Sequence, residues 1–399
     1  MKKITLESLL LWILIGCLAL GQLGRVTLTP AIKIYPHDVL IVVWSAYLLV
    51  KHASKLFRVK NTVWAFLTKN MWSWLPFVGI SVISLVAAQL HSFQLLPLLY
   101  LGRIILYFGF ASLVLTLSTV TKKQLVSGVL SLGLITFATG LLQLVFIPDT
   151  RFLYSLGFDD HYYRMVGTQL DPAFMGALFL IALSAALHSS LLKKHPAFKR
   201  GYIGAMLVGI VLTFSRASYL GVVVIALHTI FVEKKRAKKD LLAVCAGFVL
   251  LTAIALGIAE LSEGEGTNLL RTASISARAT SLLATAPTTI TAWLIGDGPF
   301  YSVVGRDVSS HTTLSLPNQA KVSDSLLVMI FEGWGILGLL SFLYWGYVGV
   351  SWLQQTGKQE LLQLLLILLV ITQFNNTVLQ PFVLVSTLLL VSGYVKEYR

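Results

Sequence analysis

Charge is what this chain has least of. Charged residues fill 12% of its 399 positions and hydrophobic ones 56%, where a soluble domain carries charge at roughly a quarter of its positions. A soluble fold is thereby excluded, and length counts membrane spans instead of soluble domains. Acids are scarcer than bases, 17 Asp and Glu against 31 Lys and Arg, for a net charge of +14. In a soluble protein that excess would suggest nucleic acid. Here the basic residues form short clusters between apolar runs, the pattern that orients spans in a membrane, so no nucleic-acid partner is expected. Cysteine is nearly missing: Cys17 and Cys245 stand far apart inside apolar runs and offer neither metal spacing nor a disulfide framework. No H-E-x-x-H, Walker A, G-x-S-x-G or D-x-D pattern occurs, so any chemistry is expected to proceed without bound metal, cofactor or ATP.

What is present is a series of apolar segments of spanning length or slightly less, near 8–24, 37–50, 71–90, 95–117, 125–147, 171–191, 201–215, 217–232, 241–259, 325–353, 360–376 and 378–394. The expected fold is all-α and polytopic, one integral membrane domain over 1–399 with about twelve transmembrane helices. Lys2 and Lys3 precede the first apolar run in the manner of a signal peptide, but no small-x-small cleavage site precedes a soluble domain, so that run reads as the first span. Threading twelve spans puts Lys2–Lys3, Lys51 to Lys69, Lys122–Lys123, Lys193 to Arg200, Lys234 to Lys239, Lys358 and Lys396 to Arg399 on one side. That side is read as the cytoplasm, with both termini inside.

The two sides differ in kind of base. The inner 21 basic residues include four arginines, Arg58, Arg200, Arg236 and Arg399, whereas the outer 10 include eight: Arg25, Arg103, Arg151, Arg164, Arg216, Arg271, Arg278 and Arg306. Lysine suffices for orientation. Arginine presents five donors on a planar, permanently charged group and suits persistent contact with phosphate or carboxylate. The outer face therefore reads either as an anion site or as exposed arginines paired with Asp149, Asp159 and Asp160. Position favours the anion. The stretch 201–232 has cytoplasmic clusters on both flanks and must cross twice in 32 residues, so each leg spans roughly 23 Å against a hydrocarbon core of roughly 30 Å. Its turn, Ser215-Arg216-Ala217-Ser218, should lie below the outer surface. A charge there calls for a partner or a wet cavity, unless it snorkels from a helix end. Arg103, eight residues into the fourth span, has a weaker claim of the same kind.

Two outer loops are expected, a smaller one at 148–170 and a large one at 260–324 containing short helices. In the first, Asp159-Asp160-His161 could suggest a metal, but adjacent carboxylates cannot both face one ion from regular structure, and the segment reads as a solvated or headgroup-facing turn. In the second, Arg271 and Arg278 are seven apart and share a helix face. They could grip a diphosphate or rest on anionic headgroups. Gly296-Asp297-Gly298-Pro299-Phe300 reads as a tight turn, weak as a phosphate loop for want of a lysine.

In order along the chain, Arg164-Met-Val-Gly167-Thr168-Gln-Leu-Asp171-Pro172, Thr213-Phe-Ser215-Arg216 with Gly221, Arg278 followed by Trp293 and Gly296 to Phe300, and Ser323-Asp324-Ser325-Leu326 followed by Glu332-Gly333-Trp-Gly335 and Gly338 resemble the motifs of the O-antigen ligase and O-antigen polymerase superfamily. The ordered set, covering 164–340, carries the resemblance; no single motif does. It implies a helical bundle with one large outer loop that moves glycans from undecaprenyl diphosphate to a hydroxyl, metal-independent and with inversion. Where ligases carry H-N this chain has Ser323-Asp324, which is similar to the polymerase branch. The resemblance makes Arg216 and Arg278 the diphosphate-holding arginines; Arg271 by its spacing, Arg103 by its depth, and Arg164, Asp171, Gly296 and Gly298 within the motifs are expected as further substrate contacts. Asp324, with His311 as runner-up, would take the acceptor proton, although Ser323-Asp324-Ser325 could equally cap the following helix. Implied partners are undecaprenyl-diphosphate-linked oligosaccharides, membrane lipids, a chain-length regulator and a flippase. Two other expectations stand beside the polymerase: a ligase with a lipid, protein or wall acceptor, and a transporter of lipid-linked glycan.

Overall fold

Helix starts in this chain are written as capping residues and prolines. Thr5 accepts from Ser8 N–H ahead of α1 (Leu6–Leu20), and Asp38 returns its carboxylate to Tyr35 N–H across the first turn of α2 (Pro36–Lys51). Thr121 and Gln124 form a reciprocal capping box at α5 (Lys122–Phe146), while Asp171 caps and Pro172 opens α6 (Pro172–His188). The computed structural model describes residues 5–29, 32–53, 73, 75–156, 158–159, 161–232, 245–249, 251–253, 287, 289–301 and 325–396. Within these lie also α3 (Leu75–His91), α4 (Leu95–Thr116), α7 (Pro196–Leu212), α8 (Arg216–Val232), the short α9 (Ile290–Ile295), α10 (Leu326–Gln355), α11 (Gln359–Ile371) and α12 (Pro381–Val395).

The protein is thus helical, as expected. Leu6–Gly24, α4, α5 and α10 are long and apolar enough to cross a membrane; α3, α6, α8, α11 and α12 are shorter apolar helices. Two boundaries move. The pair expected at 201–215 and 217–232 opens five residues earlier, because Pro196 starts α7, and each leg is 17 residues, roughly 25 Å. The segment expected at 360–376 stops as a helix at Ile371 and turns through Asn375 and Asn376. A two-stranded hairpin, Val26–Thr27 with Lys33–Ile34, was not anticipated; it joins α1 to α2.

Helix ends gather at two levels. Glu7, in the first turn of α1, accepts from Lys51 Nζ (2.6 Å), Ser118 Oγ (2.6 Å) and Thr119 N–H (2.6 Å). Gln124 donates to Ser8 (2.6 Å), and Lys396 donates to the carbonyls of Ser118 (3.0 Å) and Val120 (2.6 Å). So α1 and α5 begin where α2, α4 and α12 end. At the other level Thr168 donates to Ala19 O (2.7 Å), Gln143 accepts from Val166 N–H (2.9 Å), and Leu326 N–H donates to Thr372 O (2.9 Å). The bases sort accordingly. Among the described residues Lys51, Lys122, Lys123, Lys193, Lys194, Lys199, Lys358 and Lys396 lie at the first level with Arg200, and Arg25, Arg103, Arg151, Arg164 and Arg216 at the second with Lys33.

The core centres on α6, whose residues from Phe174 to Ala186 are all buried under α5, α7, α8, α11 and α12. A helix buried on every side needs no polar stripe, which is why its sequence is apolar all round. A second cluster of Phe300, Leu326, Met329, Ile330 and Trp334 joins α10 to α3 and α4. In α10 the backbone breaks at Gly335 (φ 64°, ψ −168°), and the turn after α9 docks on the break. Asp297 N–H donates to Glu332 O (2.9 Å) and Gly298 N–H to Gly333 O (3.2 Å), so carbonyls freed by the kink are satisfied.

Candidate functional site

A cavity of about 640 Å³ opens at the arginine level. Its walls come from the ends of α1, α7 and α11, the starts of α2, α4, α6, α8, α10 and α12, the hairpin and the loop 148–170. Arg25, Lys33, Arg103, Arg164 and Arg216 all line it, with Asp159, His161 and Asp171.

Each base is set by local structure. Asp38 pairs with Arg103 Nη2 at 3.2 Å while its other oxygen accepts from the Tyr107 hydroxyl. Arg103 also donates to Lys33 O (2.5 Å), and its guanidinium stands 5.7 Å over the Tyr35 ring. Tyr35 in turn donates to Gln22 Oε1 at 2.9 Å. The Arg25 guanidinium stacks on Phe158 at 4.3 Å, which ties the loop 148–170 to the end of α1.

Arg164 is 5% exposed. It donates from Nε to Thr213 O (3.0 Å) and from Nη2 to Phe214 O (3.2 Å), while Met165 N–H donates to Leu212 O (2.8 Å). Three carbonyls at the end of α7 are satisfied at once, and a cation sits where the helix end is negative. Phe214 lies at φ 48°, a left-handed position that these bonds hold in place. Arg164→Lys is expected to lower stability by about 1–2 kcal/mol, because an ammonium cannot fork to both carbonyls; thermal unfolding in detergent is the measurement.

The same turn places Arg216. Thr213 Oγ1 accepts from Ser215 N–H (3.2 Å) and Ser215 Oγ accepts from Ser218 N–H (3.4 Å), so Arg216 is the first residue of α8, half-buried. A cation at a helix start is electrostatically misplaced for stability. An anion there would meet both the guanidinium and the helix start favourably. Asp171 differs: its Oδ1 accepts from Ala173 N–H (2.7 Å) and Phe174 N–H (3.0 Å), so one oxygen caps α6 while the residue borders the cavity.

The candidates expected from sequence divide three ways. Arg103, Arg164, Asp171 and Arg216 come together on one cavity. Gly296 and Gly298 do not line it: Gly296 (φ 77°) lies against the backbone of Gly333 and Trp334, and Gly298 (φ 104°) against Ala88 and Tyr301. Arg271, Arg278, His311 and Asp324 lie outside the described residues. Beside Asp324, Ser325 caps α10: its Oγ accepts from Val328 N–H and donates to Gln373 Oε1 (3.1 Å).

The loop 148–170 differs from its expected solvated turn. Asp159 and His161 belong to the cavity wall, and His161 is buried, its Nδ1 3.4 Å from Arg164 Nη1. Only the rim keeps the expected character. There Arg151 bonds Asp149 through Nη2 (2.6 Å) and Nε (2.9 Å), which holds that carboxyl below its ordinary range. Asp297 is shifted the other way, its carboxyl raised by burial beside α10.

Sequence reasoning missed Gln22, Lys33, Asn375, Asn376 and Gln380 on the wall and did not single out Arg25. The carboxamides had a signal, a polar break in Phe374-Asn-Asn-Thr-Val-Leu-Gln380-Pro, but averaging over an apolar window hid it.

Fold and site together define a helical protein with apolar helices of membrane-spanning length and an arginine-lined cavity at one end. No protein-family model matches this chain, and no curated protein matches it in sequence.

Proposed function

We propose that the protein is a membrane glycosyltransferase that joins undecaprenyl-diphosphate-linked oligosaccharides into a surface polysaccharide. The observation that carries the reading is the gathering of Arg25, Arg103, Arg164 and Arg216 around one cavity. A departing diphosphate gains charge as the glycosidic bond breaks, and guanidinium donors in a poorly screened space stabilise it most at that moment. Arg216 is the principal contact, since it opens α8 on the cavity wall, where an anion meets the guanidinium and the helix start together. Arg278 and Asp324 complete the chemistry on the resemblance: a second arginine on the diphosphate, and the base that takes the acceptor proton. The lysine level is read as the cytoplasmic one, which puts the cavity on the outer face.

Purified protein in lipid nanodiscs, given an undecaprenyl-diphosphate-linked oligosaccharide, should release undecaprenyl diphosphate in step with chain growth. Intact donor after prolonged incubation, with the protein folded, would sink the proposal. Transfer to a lipid or protein acceptor without chain growth would make it a ligase.

A further inference from the structure

The cavity has a second chemistry that the diphosphate does not use. Besides guanidinium groups, which only donate, it is lined by four carboxamides, Gln22, Asn375, Asn376 and Gln380. They come from the turn after α1 and from the connection between α11 and α12.

Three observations separate these side chains from ordinary loop amides. Among the described residues, neither the Asn375 nor the Gln380 carboxamide has a side-chain hydrogen-bond partner, and both groups border the cavity. Gln380 occupies the N-cap of α12 without using its side chain as a cap, as do Gln94, His195 and Lys358 at their helices, so its carboxamide is left to the cavity it borders. A residue that bonds the helix start would be the stabilising choice there. Gln22 is held by its oxygen, which accepts from the Tyr35 hydroxyl at 2.9 Å, so its NH2 donors are what it can offer. Beside them Phe374 is 37% exposed and Tyr100 lines the same space.

A carboxamide donates two protons and accepts on two lone pairs, which matches sugar hydroxyls that each donate and accept. Aromatic faces suit the apolar C–H side of a pyranose. Guanidinium and carboxamide groups thus sort anion from polyol within one space, and about 640 Å³ lies within the ordinary range for a drug-sized ligand. An acidic sugar would be drawn by Coulomb attraction to the arginines and compete with the diphosphate.

We propose that the carboxamide side is a sugar subsite that seats a neutral, hydroxyl-rich sugar of the accepting chain. This rests on the glycosyl-transfer reading above, and its test separates the two. The full chain in nanodiscs is mixed with methyl glycosides of glucose, galactose, rhamnose and N-acetylglucosamine, with methyl glucuronoside, and separately with inorganic diphosphate. Saturation-transfer NMR reads the sugars and phosphorus line broadening reads the anion. At least one neutral glycoside should bind, about tenfold more weakly to the Asn375→Ala/Gln380→Ala variant, while diphosphate binding stays unchanged and certifies the fold. Arg216→Ala should show the reverse pattern. No binding by any neutral glycoside, binding by the glucuronoside alone, or equal binding to the double variant would each overturn the subsite. Failure of diphosphate to bind the unsubstituted protein would overturn the anion reading, leaving the glycoside arm to decide the subsite by itself.

Discussion

Arg216→Ala is expected to slow glycan transfer by about two to three orders of magnitude, the loss seen when one preorganised donor to developing charge is removed. The effect should fall on the chemical step as well as on donor binding, because the diphosphate carries more charge in the transition state than in the bound donor. Arg216→Lys should recover part of it, since an ammonium keeps the charge but loses the fork. Arg200→Ala, at the lysine level, is the matched control and should leave the rate alone. Full-rate elongation by Arg216→Ala, measured as product length against time in nanodiscs, would remove this residue from the reaction.

The largest structural effect is expected at Gly335. Its φ of 64° with ψ of −168° is a conformation that only glycine adopts without strain, so alanine costs about 1–3 kcal/mol from the backbone alone. The new Cβ would also run into the carbonyl of Leu294 and lie 2.6 Å from Ile295 N. Straightening α10 to relieve this would break the bonds from Asp297 and Gly298 to the kink and release Phe300 from the cavity wall. Gly335→Ala should therefore lower the thermal midpoint in detergent far more than Gly346→Ala, on the same helix, where a Cβ meets nothing within 4 Å. The Gly346 change should be neutral or stabilising, as expected where alanine replaces glycine in a helix. Equal midpoints for the two variants would mean that the kink bears no strain.

The helices were legible because their signals are local. Pro36 with Asp38, Thr121 with Gln124, and Asp171 with Pro172 announce helix starts within four residues, and the apolar runs behind them are long. Arg216 was legible for a different reason: arithmetic on a short double crossing left its charge at depth, and the structure sets it on a cavity wall. What escaped was non-local. Arg25 finds its aromatic partner Phe158 only through the fold, and Arg164 spends itself on carbonyls about fifty residues away along the chain. The hairpin at 26–34 is too short to show an alternating pattern, and composition alone made the wall around Asp159 and His161 look like open solvent.

The break in α10 also measures depth. Laid straight, thirty residues would reach roughly 45 Å, half again the hydrocarbon core of a bilayer, but the break divides them. Beyond Gly335 the remaining residues, 336–355, reach roughly 30 Å, one hydrocarbon thickness. On the proposed topology a helix rising from the lysine level would emerge from lipid close to its kink, and the turn docked there would lie at the waterline. The α7–α8 turn stops a few ångströms short of that line. On the proposed topology Arg216 and the kink-bound turn belong to two rungs of one ladder, an anion on Arg216 lying just beneath the level that Gly296 to Phe300 marks.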